Sequence, residues 1–329
     1  MTFWDFWKTE AKDYVFGQLD PNQGPIGTAT VPIVKDQHYV RVILRRMRIV
    51  NTRIGTKKFY AALHSDIGMW HDSGRFVNFK QLITPPELKD VESNSLDRAI
   101  VSNQPLLGPT PYRGNPLQLN LALVSVKSAD FAGPFLDVLS GLAGAAGVSF
   151  VNVAQPFLKP LAAGIDLLVG TSGSAMREVQ VVTNIEPLST GIFVTVRAPT
   201  EELKLADIRV APDYALTHSN GKLLSNYPYI VCSIESSAGR DDWKGIPEIK
   251  GAYDLVAGAV KSDKPKEYEE CFTIFRRVTL LSDDLQFDHA KDLVRRVRMK
   301  MDELMGAPLT AGGKQREVPT LAEFNPFPR

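Results

Sequence analysis

LQLNLALV, residues 117–124, carries the clearest structural signal in the chain. Leu117, Leu119, Leu121 and Leu123 share one parity, while Gln118, Asn120, Ala122 and Val124 share the other. This is the period of a strand with one face turned toward a core. On its N-terminal side, Lys80–Pro116 is rich in proline, asparagine, serine and charge, as in TPPELKD and LLGPTPYRGNP, and is expected to be a long connection.

Farther upstream, Val40, Val42 and Leu44 share one parity and Met47 and Ile49 the other. One extra residue near Arg45 or Arg46 would return all five to one face, so a β-bulge is expected there. Lys58–His64 reads as the partner strand. Downstream, Glu178–Thr183, Gly191–Arg197, Asp207–Val210 and Tyr227–Glu235 read as further strands. Asn220-Gly221, between Ala215–His218 and Lys222–Leu224, signals a hairpin with a type I′ turn.

The period changes to that of helices from residue 241. Ala290, Leu293, Val294, Val297, Met301 and Leu304 make an apolar stripe that Gly306 and Pro308 end. Tyr268, Cys271, Phe272 and Phe275 mark a second helix, and Tyr253, Val256 and Val260 a third. Residues 307–329 have no period and are expected to form an extended tail.

The chain is 329 residues long, with 44% hydrophobic and 23% charged positions, which excludes a disordered or collagen-like polymer. Lys and Arg total 38 against 37 Asp and Glu, so no global field draws the chain to nucleic acid or anionic lipid. Specific nucleic-acid binding is therefore not expected, although Arg46 and Arg48 could share one strand face as a phosphate-facing patch. Only Cys232 and Cys271 are present, both in apolar runs, so no disulfide framework is implied. Charges at Asp5, Lys8, Glu10, Lys12 and Asp13 interrupt any secretory-signal core. A cytoplasmic location is expected.

One segment is unusual. VLSGLAGAAGVSFVNVAQPFL, between Asp137 and Lys159, has 21 residues without a formal charge, inside a wider apolar stretch, Phe131–Gly170. Its length would suit a membrane span. However, Ser140, Ser149, Asn152, Gln155 and Pro156 suit lipid poorly, and Gly141, Gly144 and Gly147 weaken a helix in water. Two helices are expected, about 132–146 and 151–169, forming a hairpin buried against protein. Gly141, Gly144, Gly147, Phe150 and Phe157 are its candidate partner or membrane contacts. Phe3, Trp4 and Trp7 belong to an expected aromatic helix within residues 1–20, spanning residues 3–16 and ending near Gly17. These aromatics are contacts of the same kind.

Chemical signatures are sparse. His64, Asp66, His71 and Asp72 in LHSDIGMWHDSG have ligand types suited to zinc, manganese or iron, but their spacing matches no metal motif and suits a solvated turn equally well. Arg240-Asp241-Asp242 could supply acid–base carboxylates. The favoured reading is structural: an aspartate caps the following helix while Arg240 pairs with a carboxylate and Trp243 fastens the turn. Neither a nucleophile elbow nor a phosphate-binding loop is present, and no cofactor or resident metal is expected.

These patterns define an α+β chain: an antiparallel β-sandwich over residues 21–306, carrying a helical insertion at 131–170 and a C-terminal helical layer at 241–306. The favoured function is a non-enzymatic interaction or assembly scaffold, binding a protein partner or forming a homo-oligomer through apolar helical surfaces. The alternatives are a triggered membrane-inserting protein and a metal- or carboxylate-dependent hydrolase.

Overall fold

All four leucines of LQLNLALV are no more than 2% exposed on one face of β7 (Leu117–Lys127). A computed structural model describes residues 14–25, 29–50, 53–54, 57–70, 76–83, 99–127, 175–306, 317–321 and 323. Among the described residues the sheets are antiparallel and three helices follow the last strand, a mixed α+β fold. The chain divides into two compact units: Met1–Val34, Val40–Pro109 and Arg113–Ser236 form the first, and Lys35–Tyr39, Thr110–Tyr112 and Ser237–Arg329 the second.

In the first unit, β3 (Arg53–Ile54) and β5 (Phe76–Ile83) both pair with β4 (Lys57–Trp70), which lies beside β7; β8 (Ala175–Ile185) follows β7. The pairs Leu63↔Leu123, Ser65↔Leu121 and Ile67↔Leu119 extend the leucine face across β4. On β8 the same face continues through Val179, Val181 and Ile185. A register shift between Leu123 and Val124 makes Glu178 the extra residue of a bulge in the β7–β8 ladder; its carboxylate accepts a 2.8 Å hydrogen bond from Ser125 Oγ.

A second sheet runs in the order β1–β9–β12–β2–β6, comprising β1 (Tyr14–Gln18), β9 (Gly191–Arg197), β12 (Tyr229–Ser237), β2 (Tyr39–Arg48) and β6 (Ala99–Pro111). Val15, Val194, Val196 and Val231 on this sheet pack with Leu203, Ile208, Val210, Leu216 and Leu224 from the 199–224 segment. That segment includes the hairpin of β10 (Ile208–Val210) and β11 (Leu216–His218). In β2, Val40, Val42 and Leu44 are buried, and so are Met47 and, just past the strand's end, Ile49; burial thus changes parity at Arg45 and Arg46, where the sequence pattern does.

Several expectations need correction. Tyr14–Gln18 is a strand rather than the end of a helix: Tyr14, Val15 and Phe16 are good strand formers, and they pair with Arg197, Val196 and Thr195. The 80–116 segment is not a continuous connection, because it contains the end of β5 and all of β6. Pro105, Pro109 and Pro111 are compatible with β6 because it is an edge strand, where a missing N–H need not break a ladder on both sides. His64 to Trp70 is not a solvated turn but the second half of β4. Beyond β11, His218 N–H bonds to Lys222 O and Gly221 N–H to His218 O. Gly221 has φ +82° and Asn220 is not left-handed, so the hairpin closes through a three-residue loop rather than a type I′ turn.

The second unit holds α1 (Pro247–Lys261), α2 (Pro265–Leu280) and α3 (Phe287–Gly306). Pro247 and Pro265 open the first two helices, where a missing N–H costs nothing. Each helix buries one stripe: Tyr253, Val256 and Val260; Tyr268, Phe272 and Phe275; Leu293, Val297 and Met301. Tyr253 meets Phe275 edge-on at 6.4 Å between centroids. The tail is docked at residues 317–321, where Leu321 is buried and Tyr253 Oη donates to Pro319 O at 3.0 Å.

Candidate functional site

The densest polar arrangement described in the first unit is built on β2. Arg41 and Arg45 have the same strand parity and reach Ser233 and Glu235, which share one face near the end of β12. Arg41 donates to Glu235 Oε2 at 2.8 Å, and Arg45 donates through a terminal nitrogen to Glu235 Oε1. Arg45 Nε donates to Ser233 Oγ at 2.8 Å, and that hydroxyl is 3.2 Å from Glu235 Oε1. The remaining terminal nitrogen of Arg45 donates to Asn103 Oδ1 of β6 at 2.8 Å. Its guanidinium carbon lies 5.1 Å from the centroid of the Tyr214 ring.

Both Asn103 and Tyr214 are left-handed, at φ +49° and +62°. Such a backbone is ordinary for asparagine and uncommon for tyrosine. Local hydrogen bonds explain how Tyr214 is held there. Asp213 Oδ1 accepts from Ala215 N–H at 3.1 Å, Tyr214 N–H bonds to Ala211 O, and Arg46 donates to both Asp213 O and Asp213 Oδ2 at 2.9 Å. A cavity of about 370 Å³ opens beside this cluster, lined among others by Arg45, Thr190, Gly191, Tyr214, Ser233 and Glu235.

Both carboxylate oxygens of Glu235 are held by guanidinium donors. Arg46 and Arg48 are likewise engaged by the chain itself: Arg46 with Asp213, and Arg48 through Nε with Ser225 O at 3.2 Å. On α3, Arg295 and Arg296 pair with Asp292, and Arg298 with Glu269 and Asp302.

Comparison with protein-family models, curated proteins and solved structures finds no match to this chain. Its reading therefore rests on the geometry of its own residues.

Arg240 is fully buried in the second unit. It donates to Asp242 Oδ1 at 2.6 Å, to Asp284 O at 3.0 Å and to Asp284 Oδ1 at 3.2 Å. Asp241 and Asp242 do not cap a helix. They open a 3-10 turn, Asp241–Gly245, which has no side-chain cap, while Trp243 is buried at 2% exposure. The pairing of Arg240 and the anchoring of Trp243 thus agree with the structural reading of this motif; the cap does not.

His64 and Asp66 lie two residues apart on β4, on the face opposite the leucines, and both are buried; Asp66 pairs in register with Asn120. Among the described residues no three His, Cys, Asp or Glu side chains could hold a metal ion together. His71 and Asp72 lie outside the described residues, as do Phe3, Trp4, Trp7, Gly141, Gly144, Gly147, Phe150 and Phe157. Cys232 is enclosed in the first unit, and burial pushes its thiol up to about 12, which leaves little nucleophilic thiolate.

The Arg45 cluster was not singled out as a site by the sequence pattern. Arg41 and Arg45 share a parity, as do Ser233 and Glu235, but nothing local shows that β2 lies beside β12.

Proposed function

We propose that this chain is a non-enzymatic interaction or assembly protein. Its two sheets stack as a sandwich scaffold, and the apolar insertion makes contact with a protein partner or with further copies of the chain. The observation that carries the reading is the pair Val126↔Ala175 at the end of the β7–β8 ladder. Residues 128–174, including the 21-residue uncharged run, leave and rejoin the sheet at neighbouring positions. The two strand ends that flank the chain's longest uncharged run are therefore neighbours in the sheet. Removal of apolar surface from water, worth about 25 cal/mol per Å², favours covering such a segment with protein.

Among the described residues no helix is long and apolar enough to cross a membrane. The uncharged length of the insertion nevertheless supports membrane entry on a trigger as the second reading. Molar mass measured in solution, with and without detergent, separates the two. Association without lipid that is lost when Leu142 is changed to Lys supports the scaffold. A monomer that sediments with liposomes, and ceases to do so in the same variant, supports membrane entry instead. A monomer that binds neither refutes both.

A further inference from the structure

Val194 and Val231 lie on the face of the second sheet that packs against the 199–224 segment. Ser233 and Glu235 continue the parity of Val231 along β12, and Ser233 pairs in register with Ile192. The same face thus turns from apolar to polar, and the cavity of about 370 Å³ lies where it does so. Its lining has donors to spare and its acceptors are spent. Thr190 Oγ1 accepts from Val31 N–H at 2.9 Å and donates to Ala29 O at 2.8 Å. Ser233 Oγ is taken by Arg45, and both oxygens of Glu235 are taken by guanidiniums. Three of the five N–H groups of Arg45 are bonded, to Ser233, Asn103 and Glu235, which leaves two. Among the described residues Tyr214 Oη and Ser236 Oγ, both in the lining, have no hydrogen-bond partner. Charge points the same way, because Arg41 and Arg45 share one carboxylate and one positive charge is left in excess.

We propose that this cavity binds a small organic acid, with its carboxylate or phosphate against Arg45 and its apolar body along Tyr214 and Ile192. The volume lies near the lower end of the roughly 300–1,000 Å³ of small-molecule pockets, which suits a metabolite-sized guest. An oxyanion supplies the acceptors that the lining lacks. A neutral amide of the same shape brings two donors of its own and no charge, so it matches the lining less well. The bonds that hold the left-handed backbone of Tyr214 set its ring beside Arg45 before a guest arrives, so little ordering is left to binding. The site is independent of the assembly reading above.

The experiment is a ligand-observed NMR titration of the full chain with benzoate, phenyl phosphate and benzamide, the uncharged isostere of benzoate. At least one of the acids is expected to bind at least about tenfold more tightly than benzamide, and to weaken as salt is raised. R41Q, which removes the excess positive charge, is expected to weaken the acid about fivefold. E235Q, which removes the negative charge, is expected to tighten it about threefold. Opposite shifts from two residues that bond each other place the acid at this cluster. Neither acid binding, benzamide binding as tightly as the acids, or R41Q and E235Q shifting affinity in the same direction overturns the proposal. Should either variant melt well below wild type by circular dichroism, Y214F decides instead: it keeps the ring, removes one spare donor and is expected to weaken the acid about threefold, and unchanged affinity overturns the proposal.

Discussion

Tyr39 Oη lies 2.8 Å from His289 Nδ1, with the two rings edge-on, and accepts the N–H of Gln286 at 2.8 Å. The phenol proton is then available to Nδ1, and the imidazole is held neutral. Burial is the largest cause lowering the His289 pKa below its ordinary value; Asp292 opposes it, Arg240 adds to it and Asp241 opposes it. The unfolded chain therefore binds this proton more readily than the folded one, and stability falls with pH. The loss is expected to begin near the unfolded value of about 6.5 and to be complete once pH passes below the folded value. Thermal melts between about pH 7.5 and 5 should show the decline in wild type and a shallower one in His289→Gln. Parallel slopes would remove His289 as the cause.

Arg240 and Asp284 make a second testable unit, since both side chains are almost wholly buried whereas Asp242 is partly exposed. Truncating one partner of a buried pair leaves an uncompensated charge, so Arg240→Ala is expected to cost about 3–5 kcal/mol. Asp242→Ala, which removes a solvent-facing partner, should cost about 1 kcal/mol or less. Replacing the buried pair together, Arg240→Met with Asp284→Asn, should recover part of the loss. Urea unfolding followed by far-UV circular dichroism of the helices provides the comparison. Equal costs for the two single truncations would contradict this view of the pair.

Patterns that depend on one element alone were legible in the sequence. The leucine alternation of 117–123 and the stripe from Ala290 to Met301 each state their own period, and both are buried as that period requires. β6 was hidden because its prolines argue against a strand until its position at a sheet edge is known. His64 and Asp66 resembled turn residues because a strand buried on both faces can carry polar side chains among apolar ones. The partners of Arg45 are Asn103, Tyr214, Ser233 and Glu235, and only the strand order 12–2–6 makes β2 neighbour to β12 and β6. No local period contains that information.

Gly191 has φ +154°, and a Cβ placed on it would come within 2.5 Å of Gln18 Nε2. Gln18 has little freedom to yield, because its amide donates to Thr190 O at 3.0 Å and accepts from Ser189 Oγ at 3.2 Å. Gly191→Ala is therefore expected to lose about 1–3 kcal/mol from backbone strain and displacement of Gln18 together. Adding Gln18→Ala should relieve the collision and leave the strain, so the combined loss should be smaller than the sum of the two single losses. Strict additivity in chemical denaturation would show that the two residues do not interfere.

Tyr214 contributes in opposite directions. Its left-handed backbone disfavours an L side chain by about 1–2 kcal/mol, while its ring gives Arg45 a cation–π contact worth about 0.5–1 kcal/mol. Tyr214→Ala loses the ring and keeps the strain, whereas Tyr214→Gly loses the ring and relieves it. The glycine variant should therefore be more stable than the alanine variant by about 1 kcal/mol, despite glycine's greater freedom when unfolded. If alanine proves the more stable, the backbone at 214 is not strained.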